Sequence, residues 1–324
     1  MGAPMPTDGP PTGAERPERM LFIASAGGHV AELRRLAESV RAADDSLWVS
    51  FDGPQVRSVL DGLPARFIPY IAPRDVAGVL RAVRPLVRIL RDGRFDRVIS
   101  TGSAVAVSAF IAAALTGVAA TYVESVARVS GPSLTGRIVE FLGLAELWTQ
   151  HPGWRRRGWR QRPSVLRRYP SLAPVEPTAV GRPLKVFVTL GTIRPYRFDA
   201  LLDAVLRSGF AGAQTVWQVG STGRDDLPGT VVSQMSFEDF QRCALDADVV
   251  VTHAGVGSVI DLLDLGVTPI VVPRRARRGE HVDDHQQQIA DHLRELGVAA
   301  VVDAEALMPL DLRVAAGRRA AVRR

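Results

Sequence analysis

One short stretch of the chain carries the groups best suited to holding an anion. An apolar run, 249–251, leads into His253, Ala254, Gly255, Val256, Gly257 and Ser258, and a helical pattern follows at once. Glycines at a strand-to-helix turn let a ligand approach the backbone, and the first N–H groups of a helix bind anions, most often phosphate. The turn therefore predicts a phosphate site.

A second set of polar groups follows the next apolar run, 268–272. It begins with Arg274 in a basic loop and continues to Gln286 and Gln287. Ligands of open α/β sheets bind where successive strands end, so both sets belong to one site. Arg274 and its neighbours form either a solvated loop or a phosphate clamp. Asp261, one turn into the preceding helix, is either solvated or accepts hydrogen bonds from ribose hydroxyls.

Two more glycine turns follow apolar runs, at 25–29 and 189–192. The first lacks the G-x-G-x-x-G spacing of a dinucleotide turn, which disfavours nicotinamide binding. It ends in His29, which is neutral at pH 7 and of the type that takes a proton from a hydroxyl. In the second turn, Gly191 and Thr192 add donors for a diphosphate.

Candidate metal ligands are less specific. Asp246 and Asp248 form a D-x-D, which their place between a helix and a strand explains equally well. His281 and His285 could share a helix face with His292, but H-V-D-D-H lacks the glutamate of the zinc motif H-E-x-x-H. We expect neither a metal nor a cofactor.

Short apolar runs alternate with helical patterns along most of the chain, which predicts parallel sheets covered by helices. The expected strands are 21–25, 47–51, 66–70, 98–100, 121–123, 147–149, 185–190, 214–219, 230–233, 248–252, 268–272 and 298–302. The fold class is α/β, with two doubly wound Rossmann-like domains facing each other across a cleft.

A proline- and arginine-rich segment, 151–183, interrupts this alternation. It predicts a linker between an N-terminal domain, 19–150, and a C-terminal domain, 184–324. Residues 1–18 are expected to form a disordered tail. The uncharged run 98–123 is broken by glycines, so strand, helix and strand explain it better than a membrane span.

The bulk composition favours anionic partners. The formal net charge is +6, from 40 Lys and Arg against 34 Asp and Glu, and the sequence pI is near 10.3. Such a surface attracts phosphorylated substrates, anionic lipid or nucleic acid. A single cysteine excludes a disulfide framework and fits a reducing compartment such as the cytoplasm.

Three segments, 186–192, 252–266 and 271–286, resemble the MurG-type inverting glycosyltransferases of family 28, which have the GT-B fold. The second half also looks like the catalytic-site subunit of the two-subunit enzyme that extends dolichyl-diphosphate-GlcNAc, and like its bacterial exopolysaccharide counterpart. The first half, through 25–29, 100–110 and 122–140, is similar to the partner subunit. The resemblance implies a fusion of two subunits that are often separate.

The resemblance also implies roles for the matching residues. The turn from His253 to Ser258 would hold the donor diphosphate, with Asp261 at the ribose, where the family usually has glutamate. Gln286 and Gln287 would contact the donor sugar. His29 is the candidate base, with Glu124 as its rival. Acceptor-side positions are Gly27, Gly28 and Arg128.

The expected reaction moves a hexose or N-acetylhexosamine, with inversion, from a UDP-sugar (UDP-GlcNAc favoured) to a polyprenyl-diphosphate-linked sugar. The enzyme would lie peripherally at the inner face of the cell membrane, with 154–169 on anionic lipid. One alternative is a nucleotide-sugar epimerase of the same fold. Another is a non-enzymatic module that binds sugar nucleotides or nucleic acid, although no specific nucleic-acid motif is present. The oligomeric state stays open, with a homo-oligomer among the alternatives.

Overall fold

The computed structural model describes residues 16–72, 74–154, 156–177, 183–191, 195–281 and 284–322. They form two α/β domains, each built on one parallel sheet, of seven and six strands. The predicted fold class is confirmed. The predicted tail at 1–15 lies outside the described residues. Glu18, by contrast, pairs in a β-bridge with Ala42, so 16–18 belong to the first domain.

The first domain contains seven strands and five helices among the described residues. In chain order they are β1 Met20–Ile23, α1 Gly28–Ala37, β2 Leu47–Phe51, α2 Pro54–Val59, β3 Ala65–Ile68, α3 Val76–Gly93, β4 Arg97–Ser100, α4 Ala104–Thr116, β5 Ala119–Val123, α5 Leu134–Leu142, β6 Glu146–Thr149 and β7 Trp159–Gln161. The strand order is β3-β2-β1-β4-β5-β6-β7.

The second domain follows the same scheme. Its elements are β8 Val186–Thr189, α6 Asp199–Arg207, β9 Val216–Gln218, β10 Thr230–Val232, α7 Phe237–Asp246, β11 Val249–His253, α8 Val256–Asp264, β12 Ile270–Val272, α9 His285–Leu296, β13 Ala300–Val301 and α10 Pro309–Val322. The strand order is β10-β9-β8-β11-β12-β13.

The candidate loops lie where each sheet reverses its strand order. In the first sheet, successive strands are added on one side of β1 and then on the other side, beginning with β4. In the second sheet the same reversal lies between β8 and β11. A crevice opens beyond the carboxyl ends of strands at such a point. Gly27 follows β1, Gly102 follows β4, Gly191 follows β8 and Gly255 follows β11.

The predicted linker is partly integrated into the first domain. β7 pairs with β6 in parallel, with Leu147 opposite Trp159. The Trp159 ring is buried and meets Tyr122 edge to face, with ring centroids 6.0 Å apart. The first domain therefore extends beyond residue 150, because an aromatic side chain in this basic segment completes its core.

A shared apolar cluster joins the two domains. Leu36 and Val126 of the first domain pack with Val259 and Ile260 of α8, and Leu166 of the connecting segment completes the contact. Burial of these apolar side chains favours contact between the domains. No helix in the described part of the chain has both the length and the hydropathy needed to cross a bilayer.

Candidate active site

Two helix N-termini meet in the crevice between the domains. α1 begins after Gly27 and α8 after Gly255, and neither helix has a side-chain cap. A Cβ on Gly257 would lie 2.9 Å from the Cα of Gly28, so the two glycine turns are in direct contact. Uncapped N–H groups and the positive ends of two helix dipoles therefore converge, as an anion site requires.

His29 lies in the first turn of α1, beside this contact. The Thr101 hydroxyl donates to its backbone carbonyl at 2.9 Å. A Cβ on Gly102, whose φ is +128°, would lie 3.1 Å from the ring Cε1. Gly102 therefore leaves room for the imidazole. Its Nδ1 has no hydrogen-bond partner among the described residues.

The imidazole of His29 is neutral at pH 7. Burial is the main cause that lowers its pKa to about 4, with smaller contributions from nearby Arg128 and His285. A neutral imidazole accepts a proton, which general-base chemistry requires. Because Arg128 follows β5 and His285 begins α9, this corner of the crevice is built by both domains.

Glu124 is held by neighbours in its own domain. The Tyr122 hydroxyl donates to one carboxyl oxygen at 2.8 Å, and the Ser133 N–H and hydroxyl donate to the other at 2.8 and 3.1 Å. Burial raises the pKa of this carboxyl. The group thus fixes both ends of residues 124–133, which we call the acceptor loop.

Glu32 is a site-proximal residue that the sequence reading missed. Its side chain is fully buried, one turn beyond His29 on α1. Oε1 accepts from the Val126 N–H at 2.8 Å and from the Gln150 amide. Oε2 has no partner among the described residues, and burial raises the pKa of the carboxyl to about 7. The three-residue spacing from His29 is the signal that could have found it.

Replacing Glu32 by glutamine should flatten the pH dependence of stability. The native state holds the Glu32 proton up to about pH 7, whereas an unfolded glutamate loses it near 4.5. Stability therefore falls as pH rises between these values, by at most about 1.4 kcal/mol per pH unit for each such group. Urea unfolding at pH 5, 6 and 7 measures this slope.

Burial also raises the pKa of Asp261 to about 7. The stability of the Glu32→Gln variant should therefore still fall as pH rises, but less steeply than that of the wild type. The exposed Glu176→Gln is the matched control and should keep the wild-type slope. An unchanged slope in Glu32→Gln would contradict the assignment.

His253 fills the space between two glycine loops of the second domain. A Cβ on Gly191, whose φ is +70°, would lie 2.6 Å from the ring Nε2, and one on Gly255 would also collide with the ring. Burial, followed by the charge of Arg274, lowers the pKa of the imidazole to about 3. His253 is thus a neutral spacer that sets the width between the two turns.

Arg274, which the sequence placed either in a solvated loop or in a phosphate clamp, binds backbone carbonyls in the structure. Its guanidinium donates to the carbonyls of Leu190 at 2.9 Å, Arg197 at 3.1 Å, Glu280 at 3.1 Å and Tyr196 at 3.3 Å. The side chain is 1% exposed and stacks over Phe198. Because the side chain is buried and its terminal nitrogens donate to these carbonyls, we infer that Arg274 holds the loops around the crevice in place.

The other predicted donor residues lie around the same crevice. The Gln286 Oε1 accepts from the Arg274 N–H at 3.1 Å. Gln287 donates to Asp291 at 2.8 Å, and its Oε1 has no partner among the described residues. Asp261 is buried beside Arg35 of α1.

Three further residues were predicted to contact the sugar donor: Ala254, Ser258 and Thr192. Ala254 packs in the shared apolar cluster, and Ser258 is half-buried in the first turn of α8. Thr192 lies outside the described residues.

The described residues of the acidic and histidine motifs contact other groups. Asp246 pairs with the Lys185 ammonium at 2.8 Å, and Asp248 accepts from the Lys185 N–H at 3.0 Å. The His281 and His285 rings contact each other edge to face. Within the described ranges, no group of three or more His, Cys, Asp or Glu side chains is placed to hold a metal.

Residues 154–169, expected on a lipid surface, turn their aromatic side chains inwards. The Trp154 indole donates to the Val129 carbonyl at 2.5 Å, and Trp159 is buried. Arg156 pairs with Glu140, and Arg168 with Glu38. Large apolar side chains are exposed elsewhere, on α3, α4 and α5: Leu80, Leu115, Leu134, Phe141 and Leu142.

Comparison with known proteins agrees with this architecture. Residues 211–308 match the glycosyltransferase family 28 C-terminal domain. The solved structure of MurG from Acinetobacter baumannii superimposes with a TM-score of 0.54 and 20% identity, covering 91% of this chain and 88% of that one. The fold is thus the GT-B fold of nucleotide-sugar enzymes.

Two curated relatives extend the match. The UDP-N-acetylglucosamine–N-acetylmuramyl-(pentapeptide) pyrophosphoryl-undecaprenol N-acetylglucosamine transferase of Synechococcus sp. is 28% identical over 317 residues, covering 88% of this chain and 83% of that protein. The UDP-N-acetylglucosamine transferase subunit ALG13 of Cryptococcus neoformans is 37% identical over 92 residues, covering 27% of this chain and 44% of that protein. The chain is a glycosyltransferase, and the match to family 28 lies in its C-terminal domain.

Solved structures of UDP-N-acetylglucosamine 2-epimerases share the fold at 9 to 14% identity. The fold alone therefore does not separate transfer from epimerisation. The family 28 match and the curated transferases favour transfer.

Proposed function

We propose that this enzyme transfers a hexose or N-acetylhexosamine, with inversion, from a UDP-sugar to a polyprenyl-diphosphate-linked sugar, and that UDP-GlcNAc is the donor. The observation that carries the proposal is the meeting of two uncapped helix N-termini beside the neutral imidazole of His29. The Synechococcus relative, named for UDP-N-acetylglucosamine and a pyrophosphoryl-undecaprenol acceptor, supports both substrate classes.

In the proposed mechanism, the donor diphosphate lies at the N-terminus of α8 and next to the contact between Gly28 and Gly257. His29 removes the proton from the acceptor hydroxyl, whose oxygen attacks the anomeric carbon from the face opposite the diphosphate. The bond from the anomeric carbon to the diphosphate oxygen breaks, and UDP leaves. Backbone N–H groups stabilise the charge that develops on the leaving group.

His29 is the stronger of the two candidate bases. Its Nδ1 has no partner among the described residues, whereas both oxygens of Glu124 accept hydrogen bonds within the first domain. We assign Glu124 to orienting the acceptor loop. That loop also reaches the donor domain, where the Gln288 Oε1 accepts from the Ser130 N–H at 3.3 Å.

The acceptor is anchored in a membrane, so the enzyme must approach one. We propose that the exposed apolar side chains of α3, α4 and α5 make this peripheral contact on the cytoplasmic face, because clustered exposed apolar residues mark such surfaces. Basic residues near these helices, such as Arg84 and Arg137, would add attraction to anionic lipid.

Donor binding is the first test. Titration calorimetry with UDP-GlcNAc should show saturable uptake, and ligand at about 100 times Kd should stabilise the fold by about 2.7 kcal/mol. Ser258→Asp adds a negative charge in the first turn of α8 and should weaken binding at least about tenfold, because it repels the diphosphate.

The control is Ser236→Asp, which adds the same charge at the N-terminus of a different helix, α7. It should bind UDP-GlcNAc like the wild type. Absence of uptake, or equal losses in both variants, would contradict the donor site. Conversion of UDP-GlcNAc without any acceptor would identify an epimerase instead, and a salt-sensitive gel shift would point to nucleic acid.

A further inference from the structure

A cavity of about 250 Å³ opens near the carboxyl ends of β6 and β7, where the first domain passes into the connecting segment. The polar side chains that line it are Gln150, Gln161, Arg162, Ser164 and Arg167, with two prolines between them. No carboxylate of the described residues lines it. The carboxyl edge of a parallel sheet is where ligands of such folds bind.

The two arginines of the cavity have no counter-ion in the described part of the chain. Among the described residues neither Arg162 nor Arg167 forms an ion pair, unlike Arg156 and Arg168 in the same segment. Arg162 is half-buried, its Nε has no partner in the described part of the chain, and burial lowers its pKa. Glu32 is the acid whose charge acts on the pKa of Arg162. Burial raises the pKa of Glu32 itself to about 7, so below that pH it carries no charge to neutralise the arginine.

The floor of the cavity is rigid. The Gln150 amide donates to the Glu124 carbonyl at 3.1 Å and also to Glu32, and its oxygen accepts from the Val165 N–H at 3.0 Å. The Ser164 hydroxyl oxygen accepts from the Leu166 N–H at 3.2 Å, which leaves its proton for a ligand. Two unneutralised guanidinium groups and a hydroxyl donor on a fixed floor are complementary to an oxyanion.

We propose that this cavity binds a phosphate or diphosphate group, at a site separate from the donor site. The anion has two sources, a free phosphate compound or the diphosphate of the lipid-linked acceptor. The second source rests on the proposed function. It is favoured by the bond from Gln150 to Glu124, because that bond joins the cavity floor to the acceptor loop.

The test is calorimetric titration with inorganic pyrophosphate in the presence of saturating UDP, which occupies the donor site. The wild type should bind one further equivalent. Arg167→Ala should weaken this binding about tenfold or more, because it removes one charge-assisted donor. Arg157→Ala removes an exposed charge from the same segment, outside the cavity lining, and should bind like the wild type.

No uptake by the UDP-saturated wild type, or equal weakening in the two variants, would overturn the proposal. If the chain bound no UDP, the comparison of Arg167→Ala with Arg157→Ala would still decide the matter without it. Inhibition of transfer by pyrophosphate then separates the two sources. Competition with the acceptor identifies the lipid diphosphate as the occupant, and the absence of competition identifies a free anion.

Discussion

Replacing His29 by alanine is expected to lower kcat by roughly 10²- to 10⁴-fold, the usual contribution of a general base. UDP affinity should stay within about twofold, because the proposed diphosphate contacts are backbone N–H groups, which the substitution keeps. Steady-state transfer assays and calorimetry measure the two quantities separately. A loss of UDP affinity as large as the loss of turnover would assign His29 to the donor site instead.

Glu124→Gln separates the rival base from an orienting residue. If Glu124 only orients the acceptor loop, the amide places donors against the Tyr122 and Ser133 donors, so the variant should lose thermal stability and acceptor affinity together. Loss of kcat alone, with stability and acceptor KM unchanged, would make Glu124 the base.

The pH profile offers a further check on His29. The free base is the active form, and burial holds its pKa near 4, so protonation should not reduce turnover until the pH falls towards that value. An acid limb near pH 6.5, the ordinary value for histidine, would show that the imidazole is solvated in the working enzyme.

Replacing Arg274 by methionine is expected to lower the free energy of unfolding by about 4 kcal/mol, which is exceptional for one substitution. Four backbone carbonyls would lose their charged donor at once, two of them in fully buried contacts and two in part-buried ones. Arg274→Lys should also be strongly destabilised, because an ammonium cannot reproduce the planar fork of donors. Denaturant unfolding measures both changes.

Arg277→Met is the matched control, since that side chain is 71% exposed and its pairing with Glu305 spans 3.8 Å. It should change stability by less than about 0.5 kcal/mol. Normal stability of Arg274→Met together with a large loss of UDP affinity would restore the phosphate-clamp interpretation.

The sheets could be predicted from the sequence because their strands are short, apolar and separated by helices of ordinary length. The run that became β11 and the helix that became α8 were both recognisable, and so was the glycine turn between them. Local pattern was sufficient here, since parallel strands buried on both faces leave a continuous apolar signature.

The sequence could not show which polar side chains would be buried or hydrogen-bonded by residues distant in the chain. Arginine is a residue type that commonly binds phosphate, but the partners of Arg274 come from loops up to 84 residues away in the sequence. Glu32 resembles a solvated helix residue until Gln150 and the acceptor loop cover it. The three-residue strand β7 has too little pattern to be seen, because only Trp159 in it is buried.

The apolar cluster that spans both domains determines how independent the two lobes can be. Separated, they would expose Val126 and Leu36 on one side and Val259 and Ile260 on the other. Such surfaces are typical of obligate contacts and not of transient encounters. If these lobes were encoded as two polypeptides, the same apolar residues would favour a stable heterodimer over dissociated subunits.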